Sequence, residues 1–284
     1  MRVCPARGTR LLWCWLLGLL AASAPRPLRG QADARADLLV SDRYAWRGIN
    51  RATGWVARLH AGASARLGPG VLGIGAMEVR ELFDAGSGDL TNVGSGRRGL
   101  GERNWWAEYR LPVGRVDLAA GAVRYTYHGE PALGGRPSGD NTTEVYATVE
   151  AGRTYLSPAL SAYWDVDRVR GVYLEASGRL PILGWPFPPE IFGYLDGAVG
   201  LSLGQDPDPA RPGDLAYYDG DGLTHAQLGI SMDLKRTANV AFGGGVRFGV
   251  GLDDRARLGA DGRTRDFFVT VWFGATVGAG LPVR

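Results

Sequence analysis

Along most of the chain, hydrophobic and polar residues alternate one by one. From 225 to 234, Ala226, Leu228, Ile230, Met232 and Leu234 fall on one face, and His225, Gln227, Ser231 and Asp233 on the other. Residues 54–67 set Trp55, Ala57, Leu59, Ala61, Ala63, Ala65 and Leu67 against Arg58, His60, Ser64 and Arg66. Residues 171–180 set Val172, Leu174, Ala176 and Leu180 against Tyr173, Glu175, Ser177 and Arg179. A period of two is the signature of a strand, whose successive side chains point to opposite faces. Read this way, the chain predicts about twelve strands, near 38–49, 54–67, 70–83, 104–112, 115–127, 143–152, 157–167, 171–181, 191–204, 223–234, 238–250 and 266–278. Glu78 and Arg80 interrupt the apolar face of the third, and Arg124 that of the fifth.

Most of these runs exceed the roughly 9–11 residues with which a tilted strand crosses a bilayer. Their connections alternate in character. Those at 84–103, 128–142, 205–222 and 251–265 are long and polar, whereas Gly68-Pro69, Val113-Gly114 and Arg236-Thr237 are tight. Asp167–Arg170 is a short outer hairpin, and 184–189 a bulky inner turn. Long outer loops and short inner turns predict an all-β, transmembrane, antiparallel up-and-down β-barrel with both termini in the periplasm. Aromatic residues fall where interfacial girdles belong, with Trp55, Trp105, Trp164 and Phe267 at outer ends and Tyr155, Trp185, Phe187 and Phe192 at inner ones. A soluble barrel or sandwich would turn the same apolar face inward. Alternation cannot choose between these; strand length, loop rhythm and the leader favour the membrane barrel.

That leader carries Arg2, Arg7 and Arg10, then a short apolar block from Leu11 to Ala22, then small residues around 22–24 and 32–36. The order is that of a secretory signal peptide. It divides the chain into a signal peptide at 1–36, cleaved after 24, 34 or 36, and an outer-membrane barrel at 37–284. The expected destination is the outer membrane of a Gram-negative bacterium. Outer-membrane lipid, periplasmic chaperones and the barrel-assembly machinery are the partners this route implies. Cys4 and Cys14 both precede residue 24, so an exported chain would rely on backbone pairing without disulfides. No apolar run reaches the roughly 18 residues of a membrane-spanning helix.

Charge changes the picture only when divided. Of 32 basic residues six precede residue 37, against one of 29 acidic residues; the remainder carries 26 basic and 28 acidic. The basic balance of the whole chain is a property of the leader and gives no reason to expect nucleic acid.

Reaction chemistry finds little footing. His60, His128 and His225 stand at unrelated spacings, and no metalloprotease, nucleophile-elbow or phosphate-loop motif occurs. His60 and Ser64 share a strand face, but four residues of strand separate them by roughly 13 Å. The expectation is a non-enzyme without cofactor or metal. The loop 205–221 holds Asp206, Asp208, Asp214, Asp219 and Asp221, residues as usual in exposed turns as in calcium loops.

The polar face is the richer constellation. It places Arg58, His60, Arg66, Glu108, Arg110, Glu144, Glu150, Asp165, Glu175, Arg179, Asp196, Asp233 and Arg247 toward the lumen. Rings of both signs can set the preference of a narrow aqueous path. They can equally pair across the barrel and plug it, since twelve strands lie between filled small barrels and open porins.

One segment carries a resemblance. Val40-Ser41-Asp42-Arg43-Tyr44-Ala45-Trp46-Arg47-Gly48-Ile49-Asn50 resembles the first strand of the TorF family, small bacterial outer-membrane proteins regarded as porins. The family reads roughly Ser-x-Asp-Tyr-x-aromatic-Arg-Gly-Ile-Ser/Thr; here Arg43 is inserted and Asn50 replaces the hydroxyl residue. Residues 157–167 leading into 171–175 are similar to its central hairpin, and 223–234 to a later strand. The chain departs at its end, where Phe273 is followed by Gly278 to Arg284 instead of a terminal aromatic. The resemblance implies an outer-membrane barrel; with the mixed-charge lining, the expected function is a passive, porin-like channel for small polar solutes or ions. The alternative is a non-conducting structural or adhesive barrel whose surface loops do the work.

Overall fold

The computed structural model describes residues 32–52, 54–82, 101–128, 141–152, 154–169, 171–187, 189–205, 216–237, 239–258 and 263–279. Among these residues, twelve strands close into one antiparallel barrel. They are β1 (Ala32–Ser41), β4 (Val56–Leu67), β5 (Gly70–Glu81), β6 (Gly101–Val113), β7 (Val116–His128), β8 (Thr142–Glu150), β9 (Ala159–Asp165), β10 (Val172–Trp185), β11 (Glu190–Leu203), β12 (Gly222–Thr237), β13 (Val240–Gly251) and β14 (Phe267–Ala279). Two short strands, β2 (Tyr44–Trp46) and β3 (Ile49–Ala52), form a separate hairpin. Each barrel strand pairs with its neighbours in sequence, and β1 closes the ring against β14, from Ala34 opposite Ala279 to Ser41 opposite Trp272. A single turn of helix, α1 (Asp254–Arg257), follows β13 and is capped by the Asp253 carboxylate, which accepts from the Arg255 and Ala256 N–H groups.

The registers settle which face points out. Arg58 lies opposite Leu39, Glu108 opposite Gly121, Glu144 opposite Asp165, Arg179 opposite Asp196, and Arg247 opposite Thr270. These rows share one face around the whole ring. The other face presents Trp105, Leu228, Ile230 and Phe273 at 55%, 54%, 53% and 53% exposure. A barrel that is polar inside and apolar outside has only a bilayer in which to bury that belt. Glu78, Arg80 and Arg124 keep the predicted registers and face outward as charges. Phe192 shares a row with Asp233 and faces the lumen, not the inner girdle.

The first strand departs from expectation. Alternation runs through 38–49, but β1 ends at Ser41, where the Asp42 carboxylate accepts from the Val271 N–H at 2.9 Å. The chain then reverses at Arg47-Gly48, whose φ values of 51° and 81° are the positive pair that a two-residue hairpin turn needs. Period two continues through both arms of such a hairpin, so pattern alone cannot see the reversal. β1 instead extends backward to Ala32, pairing with β4, so the alternative cleavage positions at 34 and 36 fall inside a paired strand. Residues 1–31, and most of the long outer connections, lie outside the described residues.

Close approach fixes a glycine at the outer hairpin of β9 and β10. Gly171 has φ 95°, and a Cβ there would stand 2.3 Å from the Gly204 carbonyl. A Cβ added at Gly114, in an inner turn at φ 62°, would meet nothing within 4 Å. Gly171→Ala should therefore lower the midpoint of heat-modifiable migration well below that of Gly114→Ala, which carries only the left-handed backbone cost of about 1–2 kcal/mol. Equal midpoints would show that β10 and β11 can separate there at no cost.

Candidate pore and the hairpin that fills its outer end

The hairpin β2–β3 folds into the barrel beside the outer ends of β6 to β10. Trp46 lies 6.0 Å from Tyr125 and 5.0 Å from Tyr217, ring to ring. Two buried clusters result, Tyr44 with Ala52, Val56 and Val79, and Tyr173 with Val169, Tyr217 and Tyr218. The core of this protein is thus the outer end of its lumen. The outside of the barrel is left to the lipid.

Two ion pairs run through that core. Arg47, at the tip of the hairpin, donates to both oxygens of Glu144 at 2.8 and 2.6 Å, the bidentate geometry that makes arginine–carboxylate pairs strong. Its guanidinium also stacks 4.3 Å from the Trp46 and Tyr163 ring centroids and 4.6 Å from that of Tyr173. Burial is the largest influence and opposes the Arg47 charge, but the Glu144 carboxylate together with Tyr125 and Tyr218 holds the group well above the ordinary arginine range. Arg51 donates to Glu102 and to the Tyr127 hydroxyl, both at 2.8 Å. Tyr44 and Asn104 donate to the other Glu102 oxygen at 3.1 and 2.6 Å. From above, the Tyr218 hydroxyl donates to the Arg47 carbonyl at 3.0 Å, and Tyr217 donates to Asp165 at 3.1 Å.

Glu144 and Asp165 were expected to face an aqueous lumen. They are on the inward face, yet they are 0% and 2% exposed, sealed beneath the hairpin and the 216–221 segment. Glu102, also at 0%, was not singled out by its pattern, nor were Arg47 and Arg51, because they were read as part of strand one or its turn.

Elsewhere on the inward face the charged side chains are more exposed. Arg110, Arg179 and Arg247 keep 40%, 44% and 40% of their side chains exposed. Arg110 bridges Glu108 and Glu150 at 3.1 and 3.0 Å. Arg179 stands 3.4 Å from Asp233 and 3.7 Å from the Tyr194 ring centroid, and Arg247 lies 3.5 Å from Asp196. Glu175 accepts from the Tyr173 hydroxyl at 2.9 Å, and Arg58 lies 5.8 Å from the Tyr44 ring centroid, against the hairpin. Arg66 shares the His60 face nearer the inner turn, where it is exposed. All thirteen residues expected on the polar face therefore lie on the inward side, but they fall into two groups. Glu144 and Asp165 belong to the dry outer plug; the rest lie at or below it.

His60 is held from both sides on the inward face. Its Nδ1 is 3.2 Å from Asp37, while Nε2 accepts from the Trp106 indole N–H at 3.0 Å. Asp37 in turn accepts from the Thr276 hydroxyl at 2.6 Å, so the ring is held between Asp37 and Trp106. Among the described residues no three His, Cys, Asp or Glu side chains are grouped to hold a metal ion. Of the outer acidic loop, Asp219 pairs with Arg255 at 3.2 Å and Asp221 accepts from the Gly204 N–H; Asp206, Asp208 and Asp214 lie outside the described residues.

No family model matches the sequence, and no curated protein does. Solved structures do share the fold. The COG4313 outer membrane channel from Pseudomonas putida F1 superposes with a TM-score of 0.51 and 11% identity, over 89% of this chain and 97% of its own. LpxR from Salmonella typhimurium gives 0.49 and 10%, over 86% and 99%, and the NanC porin 0.47 and 8%, over 85% and 98%. At such identities the likeness is one of fold, that of an outer-membrane β-barrel.

Proposed function

We propose that this protein is a passive channel of the bacterial outer membrane for small polar solutes or ions, held shut at its outer mouth by the β2–β3 hairpin. One observation carries the reading: beside a buried hairpin, the inward face carries half-exposed charges of both signs. The mechanism is selection by width and charge, without energy source or cofactor, once the hairpin yields. The likeness to TorF-family porins, read from 40–50 and 157–175, agrees with this. The second reading, a non-conducting structural barrel, is favoured by the depth at which the hairpin is buried.

Single-channel conductance in a planar bilayer separates the two. The full chain should conduct rarely, while replacing 43–53 by a Gly-Ser linker should give discrete, frequent steps. In that background, Arg58→Glu with Arg247→Glu should shift selectivity toward cations; unchanged selectivity would remove both residues from the lining. Silence from a linker variant that still shows heat-modifiable migration would overturn the channel and leave the anchor.

A further inference from the structure

The outward face is not uniformly apolar. At the outer end of β5 to β7, Arg80, Arg103 and Arg124 point away from the lumen, 52%, 46% and 44% exposed at their side chains. Arg80 and Arg103 share the Glu78 carboxylate at 2.6 and 2.7 Å, and Arg124 reaches Asp167 at 2.5 Å and the Thr143 hydroxyl at 2.7 Å. Among the described residues, three guanidinium groups on this face stand against two carboxylates. The opposite wall differs. There Leu203, Leu223 and Phe267 carry the apolar belt to the outer ends of β11, β12 and β14, above an apolar groove of about 660 Å³ lined by Leu180, Leu195, Leu228 and Phe248.

A lipid-facing arginine is costly at the midplane of a bilayer and nearly free at its interface. The level of these three is set by Trp105, which sits opposite Arg124 in the register and two residues from Arg103 on the same strand face. Tryptophan marks the headgroup depth. The three cations are therefore at the height of the outer headgroups, grouped on the β5 to β7 wall. Guanidinium groups fork onto phosphate oxygens in a way that a carboxylate sharing two of them leaves room for.

We infer that the outward patch Arg80, Arg103 and Arg124 is a binding site for an anionic, phosphate-bearing lipid headgroup of the outer leaflet. The inference rests on the barrel spanning a bilayer and not on its conducting, so a failed conductance experiment leaves it standing, and the reverse holds too.

The test uses the refolded full chain in phosphatidylcholine nanodiscs with or without phosphatidic acid, reading retained lipid by native mass spectrometry. The wild type should retain phosphatidic acid over phosphatidylcholine by about fivefold or more. R80Q/R103Q/R124Q should lose that preference. R80Q/R103Q/R124Q/E78Q/D167N, which leaves no carboxylate unpaired, should lose it while keeping heat-modifiable migration. R115Q/R236Q, in the inner turns, should keep it. Equal retention by the wild type and the neutralised variants would overturn the site, as would an equal loss in R115Q/R236Q. So would a change confined to self-association in lipid-free detergent, which would make the patch a contact between copies.

Discussion

Arg47→Ala is expected to release the hairpin from the lumen. The variant leaves Glu144, at 0% exposure, as a buried carboxylate whose remaining partner is the Tyr125 hydroxyl at 3.1 Å. Stranding one member of a buried ion pair costs about 3–5 kcal/mol, far more than the pair itself stabilises. Charged to the docked state alone, that raises the undocked fraction by about two to three and a half orders of magnitude. Hydrogen exchange of the amides of 44–52 should quicken accordingly while the barrel strands stay protected, and conductance should become frequent. Arg47→Met with Glu144→Leu should recover much of the protection, because no charge then remains to be solvated. Unchanged exchange in the single variant would mean that the aromatic packing around Trp46 closes the barrel without the ion pair.

Gly48→Ala should act on the same element from a different cause. Gly48 has φ 81°, and a Cβ there would fall 2.5 Å from the His225 Cβ and 2.7 Å from its Cγ. His225 is not able to swing away: it is 1% exposed, its Nδ1 lies 3.1 Å from the Thr224 hydroxyl, and its ring stacks at 6.5 Å on Tyr173. The added methyl group must push the hairpin tip outward and with it the Arg47–Glu144 contact. Gly48→Ala with His225→Ala removes the obstacle and leaves the backbone cost of about 1–2 kcal/mol. Exchange of 44–52 in the double variant should therefore lie nearer the wild type than in Gly48→Ala. A double variant as open as the single would trace the effect to backbone strain and not to the collision.

Both predictions concern the hairpin, which is where reading the chain residue by residue stopped. The twelve barrel strands were legible because each is half-buried and long, so its alternation is uninterrupted over many residues. The inward charges were legible for the same reason. Even Glu78, Arg80 and Arg124, which break the apolar face, obey the period and face outward.

The sequence by itself determined the number of barrel strands, their pairing in chain order and, apart from Phe192 and the stretch 42–49, which residues share a face, because local alternation and turn length fix register in an antiparallel sheet. What the tertiary structure decided is which inward charges meet water. Arg47 and Glu144 are 97 positions apart, and Tyr218 reaches Arg47 across 171. No local period encodes contacts of that span. Only closure of the barrel brings β8, β10 and the 216–221 segment around the hairpin, turning Glu144 from an expected pore charge into the buried anchor of a plug.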